Sequence, residues 1–232
     1  VQRFTGAMIY QHMVVTITFI TLVLTGFALR YPDAWWVAIL NFLRIDEEVR
    51  GTLHRIAAVL LCYIAVHHGL YLFLARKGRK ELKAIWFSKK DLTDFVQNVK
   101  YHLGMIKEKP RFGRFDYTEK AEYWALVWGT VVMALTGFVL WFPTFWTQFL
   151  PSWVVKVSET IHLYEAWLAT LAIVVFHFFF VIFHPEQYPM SFTWLTGKMT
   201  VKECEEHHPE WYESLKEDPD GVQAPEDRKS VV

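Results

Sequence analysis

Four apolar stretches, each long enough to cross a lipid bilayer, limit what this chain can fold into. They run from about Tyr10 to Tyr31, His54 to Ala75, Glu122 to Phe142 and His162 to His184. Each holds roughly 20 residues or more, the length an α-helix needs to span a hydrocarbon core of about 30 Å. Helices buried in a soluble bundle would keep a polar face at every third or fourth residue. Leu168 to Phe183 keeps almost none. Composition agrees, with 53% hydrophobic and 17% aromatic residues, a combination soluble domains rarely reach. The expected fold class is an all-α integral membrane protein. Residues 1–217 would form a four-transmembrane-helix bundle, and 218–232, polar with Pro and Gly, a poorly ordered tail.

Charge placement suggests an orientation. Formal net charge is zero, yet 13 Lys or Arg residues lie between Arg76 and Ala121. The loops on the other side carry Arg44, Arg50 and Lys156. The positive-inside rule puts the basic loop and both termini in the cytoplasm. This accounts for the basic residues without nucleic acid. Trp35, Trp36, Trp141, Trp146 and Trp153 fall near the opposite boundary, as an aromatic belt does. Asp33 to Leu43 reads as a short interfacial helix. Within the basic loop, Leu92, Phe95, Val96, Val99 and Leu103 recur at helical spacing. Ser88 with Asp91 forms a capping signature, and Gly104 a stop, so an amphipathic surface helix is expected. No signal peptide is apparent, and the first residues lead directly into the first span. Cys62 and Cys204 are expected reduced. The sequence has no C-x-x-C-H for covalent c-type haem and no four-cysteine iron–sulfur set.

The chain repeats itself. Leu24-Thr-Gly-Phe-Ala-Leu-Arg-Tyr-Pro32 closes the first span, and Leu135-Thr-Gly-Phe-Val-Leu-Trp-Phe-Pro143 closes the third, 111 residues later. His54 corresponds to His162 at an offset of 108, and His68 to His177 at 109. Two related hairpins about a pseudo-two-fold along the membrane normal fit this pattern.

Histidine inside a bilayer is costly and marks function by default. His12, His54, His68, His162 and His177 lie in or at spans, with His67 and His184 in addition. On an α-helix His54 and His68, 14 residues apart, lie within about 40° of one face and roughly 21 Å apart. His162 and His177, 15 apart, lie within about 60° and roughly 22 Å apart. His67 points to the far side of its helix. Two stacked sites result, each offering imidazoles from different helices. Haem iron bound on both faces needs such pairs, and bis-histidine ligation suits electron transfer. Zinc would want three or four ligands closer together, and a proton relay through the histidines is the rival reading. Arg55, after His54, is placed to pair with a haem propionate. Gly26 and Gly137 permit close approach of a helix or macrocycle. His102 reads as a residue of the surface helix, and His207 and His208 as tail residues that contact a cytoplasmic loop or a partner.

Nearly the whole chain resembles the membrane cytochrome b (gamma) subunit of respiratory formate dehydrogenase and the related b-type cytochromes of nickel–iron hydrogenases and thiosulfate reductases. The resemblance rests on His12, Leu53-His54 and Arg114-Phe-Asp-Tyr-Thr-Glu-Lys120. It continues through Thr136-Gly-Phe with Pro143, Ile161-His162 and His207-His-Pro-Glu-Trp-Tyr212. It implies two b haems, the outer held by His54 and His162 and the inner by His12 and His177. The internal repeat instead pairs His177 with His68. The resemblance also implies a quinone site (menaquinone or ubiquinone) near Asp116, Thr118 and Glu119, where formate dehydrogenase has Asn and Gln. It further implies a partner carrying iron–sulfur clusters or several haems, and a multi-pass location in the inner membrane of a prokaryote. The expected function is electron transfer between that partner and quinone, with substrate chemistry in another subunit. The alternative is a haem-free transporter or anchor whose histidines line a proton path.

Overall fold

The computed structural model describes residues 1–217, apart from 186 and 189. The expected tail at 218–232 lies outside the described residues. Helix accounts for the described elements, with a single isolated bridge between Gln2 and Lys198. Four spans are long and apolar enough to cross a membrane. They are α1 (Gly6–Arg30), α3 (Glu47–Leu74), α6 (Tyr117–Trp141) and a 31-residue segment over Trp153–Phe183. The last begins as α8 (Trp153–Leu171) and continues as two π-helical stretches, π1 (Ala172–His177) and π2 (Phe179–Phe183). All four are longer than the apolar stretches read from sequence because each starts earlier, α3, α6 and α8 by residues that include charged and polar ones. The short elements are α2 (Val37–Phe42), α4 (Arg76–Ile85), α5 (Lys89–His102), α7 (Pro143–Trp146), α9 (Thr193–Thr196), α10 (Val201–His207) and α11 (Pro209–Glu217).

The chain divides into two compact units, and α1, α3 and α6 contribute residues to both. The first comprises 10–70 and 125–184. Its packing is inverted relative to a soluble core. Thr18, Thr25, Ala28, Ala57, Thr136 and Ser158 are buried, while Leu24, Val59, Leu135, Leu168 and Val175 are exposed. Lipid tails are as apolar as leucine, so small and polar residues carry the helix contacts. Each buried threonine satisfies its hydroxyl on its own helix: Thr18 on Val14, Thr25 on Thr21 and Thr136 on Val132, at 2.6–2.8 Å. α1 meets α8 through Phe27 and Trp167, whose rings lie 4.5 Å apart. A carboxylate also lies within the fourth span: Glu165 faces Gly129 of α6, where a Cβ would come within 2.9 Å of its Oε1.

The second unit comprises 1–9, 71–124 and the described residues from 185 onward. α5 starts as its sequence indicates: the Asp91 carboxylate accepts from the Ser88 backbone N–H at 2.6 Å and its hydroxyl at 2.9 Å. The helix ends before Gly104, which takes φ 72°. Leu92, Phe95, Val96, Val99 and Leu103 are all exposed. α4 was not anticipated, because a run of lysine and arginine carries little apolar period. The N-terminal segment is tied down by Gly197, whose carbonyl accepts from Arg3 and Phe4 at 2.8 and 3.1 Å. Gly197 has φ 72°, and a Cβ there would lie 2.5 Å from the Phe4 carbonyl oxygen.

Asp91 does more than cap α5. Both its oxygens accept from the Lys120 ammonium, at 2.8 and 3.0 Å, in a pair whose side chains are each 9% exposed. Burial alone would raise the Asp91 pKa, but Lys120 and the two Ser88 donors outweigh it and leave the carboxyl below its ordinary range. Removing one partner strands the other charge, a loss of about 3–5 kcal/mol. Lys120→Met is therefore expected to lower the thermal midpoint of detergent-solubilised protein markedly. Lys120→Met combined with Asp91→Leu is expected to recover part of that loss, and a midpoint unchanged in the single variant would contradict the pair's role.

Candidate functional site

Within the helical bundle, His54 on α3 and His162 on α8 approach each other, with ring centroids 6.4 Å apart and planes at 64°. Each is held by a threonine on the preceding span. Thr25 Oγ lies 3.0 Å from Nδ1 of His54, and Thr136 Oγ lies 2.9 Å from Nδ1 of His162. A threonine hydroxyl has one proton. Thr25 donates that proton to the Thr21 carbonyl and Thr136 to the Val132 carbonyl. Each Oγ must therefore accept from the imidazole, so Nδ1 carries the hydrogen on both rings. Nε2 is then the lone-pair nitrogen of each, the form in which a neutral imidazole binds a metal.

The next residue along explains the rest of the repeated motif. A Cβ at Gly26 would stand 3.1 Å from Cε1 of His54, and one at Gly137 would stand 3.2 Å from Cε1 of His162. Thr-Gly is thus one device used twice, in which threonine orients the imidazole and glycine makes room for it.

These residues suit an iron held between two imidazoles. Metal–imidazole bonds are about 2 Å long. Two such bonds end to end, with half a ring at each side, account for the 6.4 Å centroid separation. Among the described residues, no three His, Cys, Asp or Glu side chains converge to hold a bare metal ion. Paired imidazoles with Nδ1 held and Nε2 free are the donor set of a bis-histidine haem.

His177, which ends π1, lies within electrostatic reach of His12 on α1. His68 lies beside His67. Its Nδ1–H donates to Gln11 Oε1 at 2.9 Å, while Gln11 Nε2 donates to Nδ1 of His67 at 3.3 Å. One glutamine amide thus joins both histidines of the pair. Arg55 lies with its guanidinium 5.7 Å over the Trp141 ring, beside an apolar groove lined by Ile56, Val59 and Leu60. Thr25, Thr136 and Gln11 were not singled out as site residues from sequence. The threonines were visible as part of the repeat, but their meaning depends on the histidine each one faces. A glutamine one residue before a histidine carries no signal at all.

Asp116, Thr118 and Glu119 also come together, in the second unit, and they do so as a helix cap. Asp116 Oδ1 accepts from the Thr118 and Glu119 backbone N–H groups at 2.7 and 2.8 Å and from the Thr118 hydroxyl at 2.6 Å. Glu119 Oε2 accepts from the Asp116 N–H at 3.0 Å, and its Oε1 pairs with Arg3 at 2.6 Å. Burial and the neighbouring Glu119 raise the Asp116 pKa, against the hydrogen bonds that lower it. Arg3 is itself buried, with the Phe4, Phe115 and Trp211 rings 5.4–5.7 Å from its guanidinium. Arg114 pairs with Glu81 at 2.9 Å; burial raises the Glu81 pKa, offset in part by that arginine. His208 donates from Nδ1 to the Gly113 carbonyl at 2.8 Å. Burial, then the nearby Arg3, lower its pKa to about 4.

Comparison with known proteins agrees with this arrangement. The family model of prokaryotic cytochrome b561 matches residues 3–193. The nitrate-inducible formate dehydrogenase cytochrome b556(Fdn) subunit of Escherichia coli is 23% identical over 229 residues, covering 91% of this chain and 92% of that protein. The formate dehydrogenase cytochrome b556(fdo) subunit of the same organism is 21% identical over 220 residues, covering 92% of each. A formate dehydrogenase cytochrome b556 subunit of Haemophilus influenzae is 21% identical over 211 residues, covering 87% of this chain and 78% of its own.

The threonine geometry predicts one tautomer. In haem-free protein at neutral pH, nitrogen NMR of labelled imidazoles should find His54 and His162 protonated at Nδ1; Thr25→Val and Thr136→Val should each release one ring into a tautomer mixture. His208 makes a pH prediction. Its folded pKa is depressed, so the folded state binds fewer protons than the unfolded between the ordinary 6.5 and about 4. Its contribution is complete above that window and lost as pH falls through it. Amide protection factors in α10 and α11, with exchange corrected for its intrinsic pH dependence, should fall between pH 7 and pH 5, and His208→Gln should flatten that response.

Proposed function

Because this chain belongs to the prokaryotic cytochrome b561 family, we propose that it is the di-haem electron-transfer subunit of a respiratory complex, exchanging electrons between a partner redox subunit and membrane quinone. That it is a multi-pass membrane cytochrome b follows from the family and the four spans. The numbers of haems, their ligands and the quinone are the proposal. One observation carries it: His54 and His162 face each other with Nδ1 of each held by a threonine that has no proton left to give.

A bound haem would supply a one-electron couple, and holding its iron with two imidazoles would favour electron transfer over oxygen chemistry. His54 and His162 would hold one haem through Nε2. Thr25 and Thr136 fix ring orientation and strengthen the donor nitrogen by accepting from Nδ1. Arg55, one residue beyond His54, has the Trp141 ring and, among the described residues, no carboxylate partner. Its charge is available to a propionate. His12 and His177 would hold the second haem. Their pairing is favoured over His68 with His177 because the resemblance pairs them and because His177 lies within electrostatic reach of His12.

The quinone reading rests on Asp116. Its raised pKa lets it hold a proton at higher pH than an ordinary aspartate, and a proton-holding carboxyl suits a quinone that takes up protons as it is reduced. The partner is proposed from the relatives, which are formate dehydrogenase subunits. An iron–sulfur or multihaem subunit would supply or accept the electrons. The basic loop supports an orientation with both termini in the cytoplasm, and the family supports a prokaryotic inner membrane.

The test is the haem content and reduced-minus-oxidised spectrum of the purified chain. Two b haems per chain are expected. His54→Ala and His162→Ala should each remove the same one, His12→Ala and His177→Ala the other, and His68→Ala neither. A chain without a b-type α band would overturn the reading, and loss of a haem in His68→Ala with both retained in His12→Ala would reassign the second site. Asp116→Asn keeps the helix cap, since asparagine caps as well as aspartate. It should lower quinone turnover with haem content unchanged.

A further inference from the structure

The fourth span is where the chain departs from its own repeat. The second span takes 14 residues from His54 to His68, while the fourth takes 15 from His162 to His177. On uninterrupted α-helix that extra residue swings His177 by about 100° from the helix position that His68 occupies in its own span. α3 is uninterrupted α-helix through both its histidines. The fourth span is not: α8 gives way at Ala172 to π1, and π1 ends on His177. The Phe178 N–H bonds the Ile173 carbonyl, five residues back, and the His184 N–H bonds the Phe179 carbonyl at 2.7 Å in the same pattern.

A π turn closes i to i+5 rather than i to i+4, so it uses one residue more than an α turn. One such turn between His162 and His177 takes up the fifteenth residue. Nothing local calls for it. Ala-Ile-Val-Val-Phe-His contains neither proline nor glycine, the usual causes of a break in a helix. π geometry is rare and short-lived along a chain unless something holds it.

We infer that π1 is a register device: it gives His177 the position relative to His162 that His68 has relative to His54, so that one helix supplies a ligand to each haem despite its extra residue. The inference rests on the proposal that His177 is a haem ligand. Ile173 to Phe176 are therefore positioning residues by their number and not by their side chains.

The test alters length and leaves the ligands alone. Removing Val174 restores the 14-residue spacing found in the second span. That variant is expected to become regular α-helix and to keep both b haems per chain, by haem extraction and by low-temperature spectra. Inserting one alanine after Val174 is expected to abolish the second haem and keep the one on His54 and His162, whose presence also reports folding. Loss of the second haem alone on removing Val174 overturns the inference. A second measurement is independent of haem: in lipid-embedded wild type, solid-state NMR with the Ile173 carbonyl carbon and amide nitrogens labelled should place that carbonyl against the Phe178 N–H. Finding it against the His177 N–H overturns the inference, and decides the matter if the shortened variant does not fold. A wild-type chain holding one haem would strike the ligand assignment, while the carbonyl measurement would still decide the π turn.

Discussion

The bundle depends on what happens to one hydroxyl proton in each hairpin. A threonine inside a bilayer cannot leave its O–H unsatisfied, because no water reaches it and the loss is several kcal/mol. Bonding the carbonyl one turn back is the cheapest answer, and Thr25 and Thr136 both take it. The same choice leaves the oxygen able only to accept. An ordinary side-chain adjustment in a membrane helix thereby fixes the tautomer of a histidine on the neighbouring span, and with it which nitrogen keeps its lone pair. Serine would accept equally well, but the threonine methyl adds a χ1 preference that holds the oxygen in place. The adjacent glycine completes the arrangement, since a methyl group at either position would press on Cε1 of the ring.

Much of this was legible in the sequence. Apolar length gave four spans, and the histidine spacings with the Thr-Gly repeat led to His54 and His162 as a facing pair. Ser88 and Asp91 were read as a cap, and Asp91 does hold Ser88. What sequence could not supply was partnership between distant residues. Nothing in Asp91 announces that Lys120 will share it. Asp116 and Glu119 stood out as carboxylates in a place where the related subunits have amides, and they prove to bond each other's backbone. Their chemistry as acids and their role as a cap use the same oxygens, so a proton added to Asp116 bears on the first turn of α6 as well as on any bound molecule.

The second unit shows the opposite economy to the bundle. It gathers arginines where the bundle gathers threonines, and sets them against aromatic faces and single carboxylates: Arg3 with Glu119 and Trp211, Arg114 with Glu81 and the same tryptophan. Guanidinium is weakly hydrated and stacks on rings, which makes it the cation least costly to bury. His208 joins this cluster as a neutral ring, because burial and then the nearby Arg3 disfavour its charge more than the Gly113 carbonyl and Asp116 favour it. The tail histidines that sequence assigned to loop contacts are therefore partly right: His208 does bond a loop carbonyl, at Gly113.

The offsets between the two halves of the sequence change at two places. Thr25 and Thr136 stand 111 residues apart, His54 and His162 108, His68 and His177 109. The first difference lies between spans and is absorbed in the connecting loops, where it costs nothing. The second lies inside a span, where every residue turns the helix by about 100°. A loop can gain or lose residues silently; a membrane helix can do so only by changing its winding or by presenting a different face. α3 keeps regular winding, and its His68 is engaged by Gln11. The fourth span changes its winding and ends that change on His177. The one-residue difference falls where backbone geometry must answer for it, and the π turn that ends on His177 is that answer.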